Sequence, residues 1–406
     1  MIFHWSASCA NYFPMELELT PEQKKLEREV YTYLKNVIPP EFEEERVNHI
    51  EGDGPICRHL IRKLGMDGWM GIGWPREYGG QGRTPIEQYI FFDLAMGYFR
   101  LPIPVLSLMT VGPTLMKVGS EAQKKKYLPG ILTGDVIFSI GYTEPEAGTD
   151  LFSLKTRAVR QGDYYIINGE KIFTSMGHFC NYFWLAARTD PDPAKKHAGI
   201  SIFIVDAKSP GLTIKPMPVM GGFRTNHEFF DNVKVPKECL VGEENKGFRY
   251  MLMQLAHERI NLVPHSLSLR MIEDCFRWAR ESKLNGRPVI EQHWVRNRLA
   301  EMTVEAEVLK MLNYRTVWLM SKDVVPHVES AMSKAFGSEH IVRVAGSCLQ
   351  IMGLYGQLTT ASKYAPFNGF MERQHQMLLM LTFGGGTNEV MRDIIATMGL
   401  GMMKSR

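Results

Sequence analysis

The chain has 406 residues, 45% of them hydrophobic and 22% charged, which excludes a disordered or collagen-like polymer and exceeds a single ordinary core. Forty-seven basic against 44 acidic side chains leave a formal charge of +3, too little to suggest nucleic acid as a partner. The longest uncharged stretch, 344–362, is too polar for a membrane span, and the next, 101–116, holds three prolines.

Six cysteines lie far apart with no CxxC pair, the twelve histidines form no HxxxH pattern, and no metal site is expected. A soluble, cytoplasmic protein with reduced thiols is the expectation. The first 14 residues lack Lys and Arg, unlike a secretory signal, and Met15, opening MELELTPEQ, reads as the natural start.

From 20 to about 132 the signals are helical. Thr20 with Gln23, Thr84 with Glu87 and Ser120 with Gln123 each pair an N-cap hydroxyl with Glu or Gln at N3, and Pro21 and Pro85 fall at N1. The stretch 68–82 packs six glycines and two tryptophans into 15 residues, which predicts a folded loop with special backbone angles. From about 136 to 242 the pattern becomes strand-like, with 164–167, 182–186, 200–205 and 229–235 rich in aromatic and β-branched residues. Thr143-Glu-Pro-Glu-Ala-Gly-Thr-Asp150 places small residues and hydroxyls after a strand, suited either to a surface turn or to a ligand loop. Arg224-Thr-Asn226 is read equally as an ordinary turn or as a contact to a phosphate or acyl group. From about 244 onward long helices return, giving the order helical, β, helical.

The loop at 68–82 and the segment 143–150, taken with Lys171-Ile-Phe-Thr-Ser175, Phe229-Phe-Asp-Asn-Val-Lys-Val-Pro236 and Gly384-Gly-Gly-Thr-Asn-Glu-Val-Met-Arg392, resemble the acyl-CoA dehydrogenase family over nearly the whole length from Met15. The resemblance implies an α+β fold: an N-terminal helical domain (15–134), a middle β-barrel-like domain (135–243) and a C-terminal four-helix bundle (244–406). It also implies FAD-dependent α,β-oxidation of an acyl-CoA thioester. A carboxylate takes the α proton, the β hydrogen leaves as hydride to the flavin, and electrons pass to an electron-transfer flavoprotein. Such chemistry needs a desolvated base of raised pKa, hydrogen bonds to a developing enolate, and an electron sink that no side chain supplies.

Most relatives carry the base in a Tyr-Glu-Gly-Thr segment, and the matching stretch here is Gly384-Gly385-Gly386-Thr387, where Gly385 takes no proton. Some relatives carry it on the first long helix after the β domain, before an Arg, and this chain has His257-Glu258-Arg259 there. Glu258 is therefore the candidate base, against the bland reading of a solvated triplet. Met251, Leu255 and Leu262 stand at helical spacing with Glu258, and Leu252, Ala256, Ile260 and Val263 suggest burial all round. Arg259 and Gly385 are expected at the substrate. Gly385 also leaves space near the reacting carbons, which favours a branched, alicyclic or steroid-like acyl group.

Carried over by resemblance, flavin contacts fall on Ile140, Tyr142, Thr143, Gly148, Thr149, Phe173, Ser175, Thr387 and Glu389, with Gln350 and Gly353 serving a neighbouring subunit of a homo- or hetero-oligomer. The chain departs from the family's Arg-x-x-Phe-Gly at Ser282-Lys-Leu-Asn-Gly286. That opens a second reading, a structural partner subunit in a mixed assembly with an incomplete flavin site. A flavin oxidase or monooxygenase on the same scaffold is a third. His257 and His265 are read as core or rim residues, and Met217, Met220, Met251 and Met253 as core filling before pocket lining.

Overall fold

The structure is a computed structural model that describes residues 18–192, 198–258 and 262–403, the side chains of 255–258 excepted. Six helices open the chain: α1 (Pro21–Val37), α2 (Phe42–Asn48), α3 (Pro55–Met66), α4 (Pro85–Phe92), α5 (Gly112–Val118) and α6 (Glu121–Thr133). All three capping boxes form. At α1 the Gln23 N–H donates to Thr20 Oγ1 at 3.2 Å and the Thr20 N–H donates to Gln23 Oε1 at 3.0 Å, and the same reciprocal pair starts α4 and α6. Leu26, Val30 and Leu34 recur at helical spacing and are buried in one core with Leu60, Ile61 and Leu64 of α3, each contributing roughly 1.5–3 kcal/mol. The glycine-rich loop is fixed by Trp74, whose indole N–H donates to the Leu108 carbonyl at 3.0 Å. At Gly80 a Cβ would lie 2.1 Å from the Trp74 carbonyl oxygen, so only glycine fits there.

The middle of the chain builds one eight-stranded sheet: β1 (Phe138–Gly141), β2 (Arg157–Gln161), β3 (Tyr164–Ile172), β4 (Tyr182–Arg188), β5 (Ile200–Asp206), β6 (Leu212–Pro218), β7 (Arg224–Pro236) and β8 (Leu240–Val241). Its order is β6-β7-β3-β2-β4-β5-β8, with β1 lying parallel on β4. The period of two decides what each face meets. Trp184, Ala186, Ile200, Ile202 and Ile204 pack into the N-terminal helices, whereas Phe183, Leu185, Ala187, Phe203 and Val205 face a separate core with Tyr165, Ile167 and Val233.

The C-terminal helices are α7 (Gly247–Glu258), α8 (His265–Glu281), α9 (His293–Met320), α10 (His327–Met352), α11 (Phe370–Met377) and α12 (Asn388–Ile394). Helix α10 runs through the middle and packs on α8, α9, α11 and α12. Close approach is possible because Gly337 carries no side chain; a Cβ there would sit 2.8 Å from both Leu309 and Val263. Between α8 and α9 the departing segment 282–288 forms a hairpin, β9 (Lys283–Leu284) with β10 (Arg287–Pro288), turning at Asn285 and Gly286 with φ of 52° and 82°. Among the described residues no helix is long and apolar enough to cross a membrane.

Candidate active site

Strand β1 delivers Ile140 and Tyr142 to the loop 143–150. The loop is tied across itself by reciprocal backbone bonds between Glu144 and Ala147 at 3.0 and 3.1 Å. Glu144 is buried and accepts from Lys171 Nζ at 2.7 Å and from the backbone N–H groups of Lys155 at 2.5 Å and Thr156 at 3.0 Å. Burial alone would raise its pKa; the Lys171 charge and these donors outweigh that and hold it below the ordinary value. Lys171, fully buried, is itself pushed down by burial to about 8, with Glu144 pulling the other way. The ion pair sets the loop's shape and leaves Gly148 and Thr149 exposed, with nothing within 4 Å of a Cβ at Gly148.

Beside this loop runs 173–175. The Ile172 N–H donates to the Thr143 carbonyl at 2.9 Å, which joins the two segments into one surface. Phe173 has φ of 61° and is 63% exposed, an uncommon backbone for an aromatic residue and an uncommon exposure for its ring. The segment is braced from behind. Ser139 Oγ donates to the Ser175 carbonyl at 2.8 Å, Thr174 N–H donates to the Asn226 carbonyl at 3.2 Å, and Asn226 Nδ2 donates to the Thr174 carbonyl at 2.7 Å.

Tyr142 turns inward and is buried. Its hydroxyl donates to Gln254 Oε1 and accepts from the Trp184 indole N–H at 3.1 Å, and Gln254 Nε2 donates onward to Thr114 Oγ1 at 3.0 Å. Any ligand contact from Tyr142 is therefore left to its backbone. Gln254 lies on α7, whose last residue is Glu258. The side chain of Glu258, and Arg259 altogether, lie outside the described residues. Met251 is fully buried as expected, but Leu252 is 52% exposed, so α7 is not buried on every side. The stripe read through Leu262 does not continue as one helix, because α8 begins anew after Pro264.

Gly385 has φ of 69°, and a Cβ on it would lie 2.5 Å from Leu262 Cδ1. Leu262 thus occupies part of the space next to the missing side chain. Lys334, fully buried on α10, donates to the Gly386 carbonyl at 2.5 Å and to Asn388 Oδ1 at 2.8 Å. Thr387 N-caps α12, accepting from the Val390 N–H at 3.3 Å. Glu389 is exposed in the first turn, where a hydrogen bond from its own backbone N–H and then one from Thr387 lower its pKa.

Gln350 and Gly353 fall elsewhere, at the exposed end of α10 beside Leu354 and Tyr355, 80% and 56% exposed. Arg224-Thr-Asn226 is no turn; it starts β7, and Arg224 is engaged by Glu51 Oε1 and Asp53 Oδ2, both at 2.8 Å, rather than held for a phosphate. Met220 is 62% exposed and Met251 is core.

Sequence reasoning missed a buried polar cluster between the first and last thirds of the chain. Asp93, in a π-helical turn after α4, lies 3.1 Å from His265 Nδ1; Tyr89 donates to Asp93 at 3.0 Å and accepts from Asn313 Nδ2 at 2.9 Å. Tyr89 lies 176 residues from His265 and 224 from Asn313, and no local pattern announces these partners.

The chain matches the acyl-CoA dehydrogenase N-terminal domain over 20–135, the middle domain over 139–233 and the C-terminal domain over 245–400. It belongs to the acyl-CoA dehydrogenase family. It is 43% identical to acyl-CoA dehydrogenase FadE29 of Mycobacterium tuberculosis, over 95% of this chain and 98% of that one, and 40% identical to FadE26 of the same organism, over 96% and 100%. Among solved structures, a steroid acyl-CoA dehydrogenase, Tcur3481-Tcur3483, superposes with a TM-score of 0.89 at 43% identity, covering 96% of this chain and all of that one. The ChsE4-ChsE5 complex from Mycobacterium tuberculosis superposes at 0.88 and 39%, again over 96% and 100%. The protein is an oxidoreductase of a family that uses FAD. Its surface fits such a group: an open glycine loop, the hydroxyls of Thr143 and Ser175, and a braced, solvent-facing Phe173 form one continuous wall.

Proposed function

We propose that this acyl-CoA dehydrogenase binds FAD on the wall formed by 140–149 and 173–175 and oxidises a bulky acyl-CoA at its α,β carbons, with Glu258 as the base. When bound, the flavin supplies the acceptor for the β hydrogen. The chain's own residues do the rest. Phe173 would offer the flavin an apolar contact, and Thr143, Thr149 and Ser175 hydroxyls. Arg259 and Gly385 meet the substrate, and Thr387 with Glu389 completes the flavin contacts from the start of α12. Glu258 takes the α proton, a general-base step worth on the order of 10² to 10⁴ in rate.

One observation carries the assignment of the base. Gly385, where most relatives place their carboxylate, carries no proton acceptor, and Leu262, four residues after Glu258 in the chain, lies against it, which supports a base supplied from that stretch. A bulky substrate, steroid-like in shape, is favoured by the steroid dehydrogenase among the structural relatives. The ChsE4-ChsE5 complex favours a mixed assembly, in which Gln350, Gly353 and the exposed Leu354 and Tyr355 meet a neighbouring subunit. Electrons then leave to an electron-transfer flavoprotein, and the site works in the cytoplasm. The experiment is to purify the protein alone and with a related chain, record the flavin spectrum, and add acyl-CoA thioesters without oxygen. Bleaching by steroid side-chain thioesters in preference to butyryl- or palmitoyl-CoA is expected. A colourless chain that gains flavin only with its partner would move the account to the structural-subunit reading, and rapid peroxide formation to the oxidase reading.

A further inference from the structure

Hydrogen-bonded to Thr174, the residue after the exposed Phe173, is a carboxyl group that the proposed chemistry does not use. Glu228, on β7, is fully buried and pairs across the strands with Lys171 on β3 and with Ile214 on β6. Its Oε2 accepts from Thr174 Oγ1 at 2.6 Å, while its Oε1 has no hydrogen-bond partner. Oε1 points to Gly177, where a Cβ would come within 2.7 Å of it. A buried carboxylate oxygen with no donor is costly in ionised form and cheap in neutral form.

The charged and titratable groups facing it come from each neighbouring element. Lys171 stands on β3, already tied to Glu144 of the loop after β1; Cys180 lies on the loop before β4; and His178 reaches it only through Asn226, being held on the far side by Glu51. Burial dominates these influences and raises the Glu228 pKa to about 7, against the lesser pull of the Thr174 hydrogen bond and Lys171.

We infer that Glu228 is a positioning residue of the flavin wall, its Oε2 holding Thr174 and through it Phe173 and Ser175, and that flavin binding favours its neutral carboxyl. This rests on the flavin reading above. Covering the exposed Phe173 with a ring system displaces the nearest solvent beyond the already buried Glu228 and deepens its low-dielectric surroundings, so its ionised form becomes costlier when the cofactor is bound. Flavin binding therefore draws a proton from solvent onto the carboxyl, and affinity falls as the pH rises through its titration.

The test titrates FAD into the flavin-stripped protein between about pH 6 and about pH 8.5, following quenching of flavin fluorescence. Wild type should bind about tenfold more weakly at the upper pH, the effect of a one-unit rise in the carboxyl pKa on binding. Glu228→Gln, which keeps the acceptor for Thr174 but never ionises, should bind tightly with no such slope. Thr174→Val should bind more weakly at both pH values and keep the slope. A flat wild-type profile, or an unchanged slope in Glu228→Gln, would overturn the inference while leaving the flavin site intact. If wild type takes up no FAD at any pH, the flavin reading falls and this inference with it. If Glu228→Gln does not fold, the wild-type slope alone decides, since the thermal stability of the apo-protein must then also decline between the ordinary carboxyl pKa of 4.5 and about 7.

Discussion

The Tyr142 hydroxyl donates to Gln254 one helical turn before Glu258, so the strand that leads into the 143–150 loop and the helix that carries the proposed base are joined by a buried hydrogen bond. Trp184 donates to the same hydroxyl, and Thr114 receives the other end of Gln254. The relative placement of the loop and α7 is thus fixed within the core.

Tyr142→Phe should be destabilised by about 1–3 kcal/mol, because it leaves Gln254 and the Trp184 N–H buried without this partner. The urea midpoint measures the loss. Flavin reduction by substrate should slow as well, since α7 loses its tie to the loop; an unchanged midpoint would contradict the coupling.

Gly385→Ala should cost about 1 kcal/mol or more, because φ of 69° is disfavoured with a Cβ and the new methyl meets Leu262 Cδ1. Adding Leu262→Ala should relieve the contact but not the backbone strain. The double variant's melting temperature should therefore show strong non-additivity, and simple additivity would mean that the two residues do not share that space.

Lys334→Met should loosen the glycine turn, since the Gly386 carbonyl and Asn388 Oδ1 both lose a donor. Asn388 Oδ1 keeps Ser338 Oγ as a donor at 3.2 Å, so about 1–3 kcal/mol, for the Gly386 carbonyl, is expected in a denaturant titration. Lys334→Arg should not restore stability, because a planar guanidinium does not replace a compact ammonium in a fully enclosed site.

Acid should unfasten the junction at Asp93. Burial pushes its pKa up, but the charge of His265 and hydrogen bonds from His265, Ser266 and Tyr89 win and hold it below 3.8. A depressed carboxyl contributes stability above its unfolded pKa and loses it as the pH falls through the folded value. Asp93→Asn should therefore be less stable than wild type near neutrality, and the gap should narrow below about pH 4 in melts taken across the acid range.

The local features were legible in the sequence. Thr20, Thr84 and Ser120 announce helix starts because a cap and its N3 partner are three residues apart, and strands β4 and β5 announce themselves by apolar runs buried on both faces. The motifs also led to Phe173 and Thr143 on one surface. What was not legible depends on distant partners. Arg224, read as a turn or a ligand contact, is engaged by Glu51 and Asp53 from far along the chain, and Glu228, just ahead of the predicted strand 229–235, carries no local signal of its burial beside Lys171 and Thr174. Leu262 could not be placed against Gly385 by spacing, because the chain breaks its helix before Pro264.

The most direct test of the account is single-turnover reduction of the bound flavin in Glu258→Gln, with the acyl-CoA that bleaches wild type fastest and oxygen excluded. Glutamine keeps the volume and hydrogen bonding of the side chain and removes only its ability to take a proton. The account predicts retained fold and flavin, with bleaching slowed on the order of 10² to 10⁴. Bleaching at the wild-type rate would contradict it and return the base to another carboxylate.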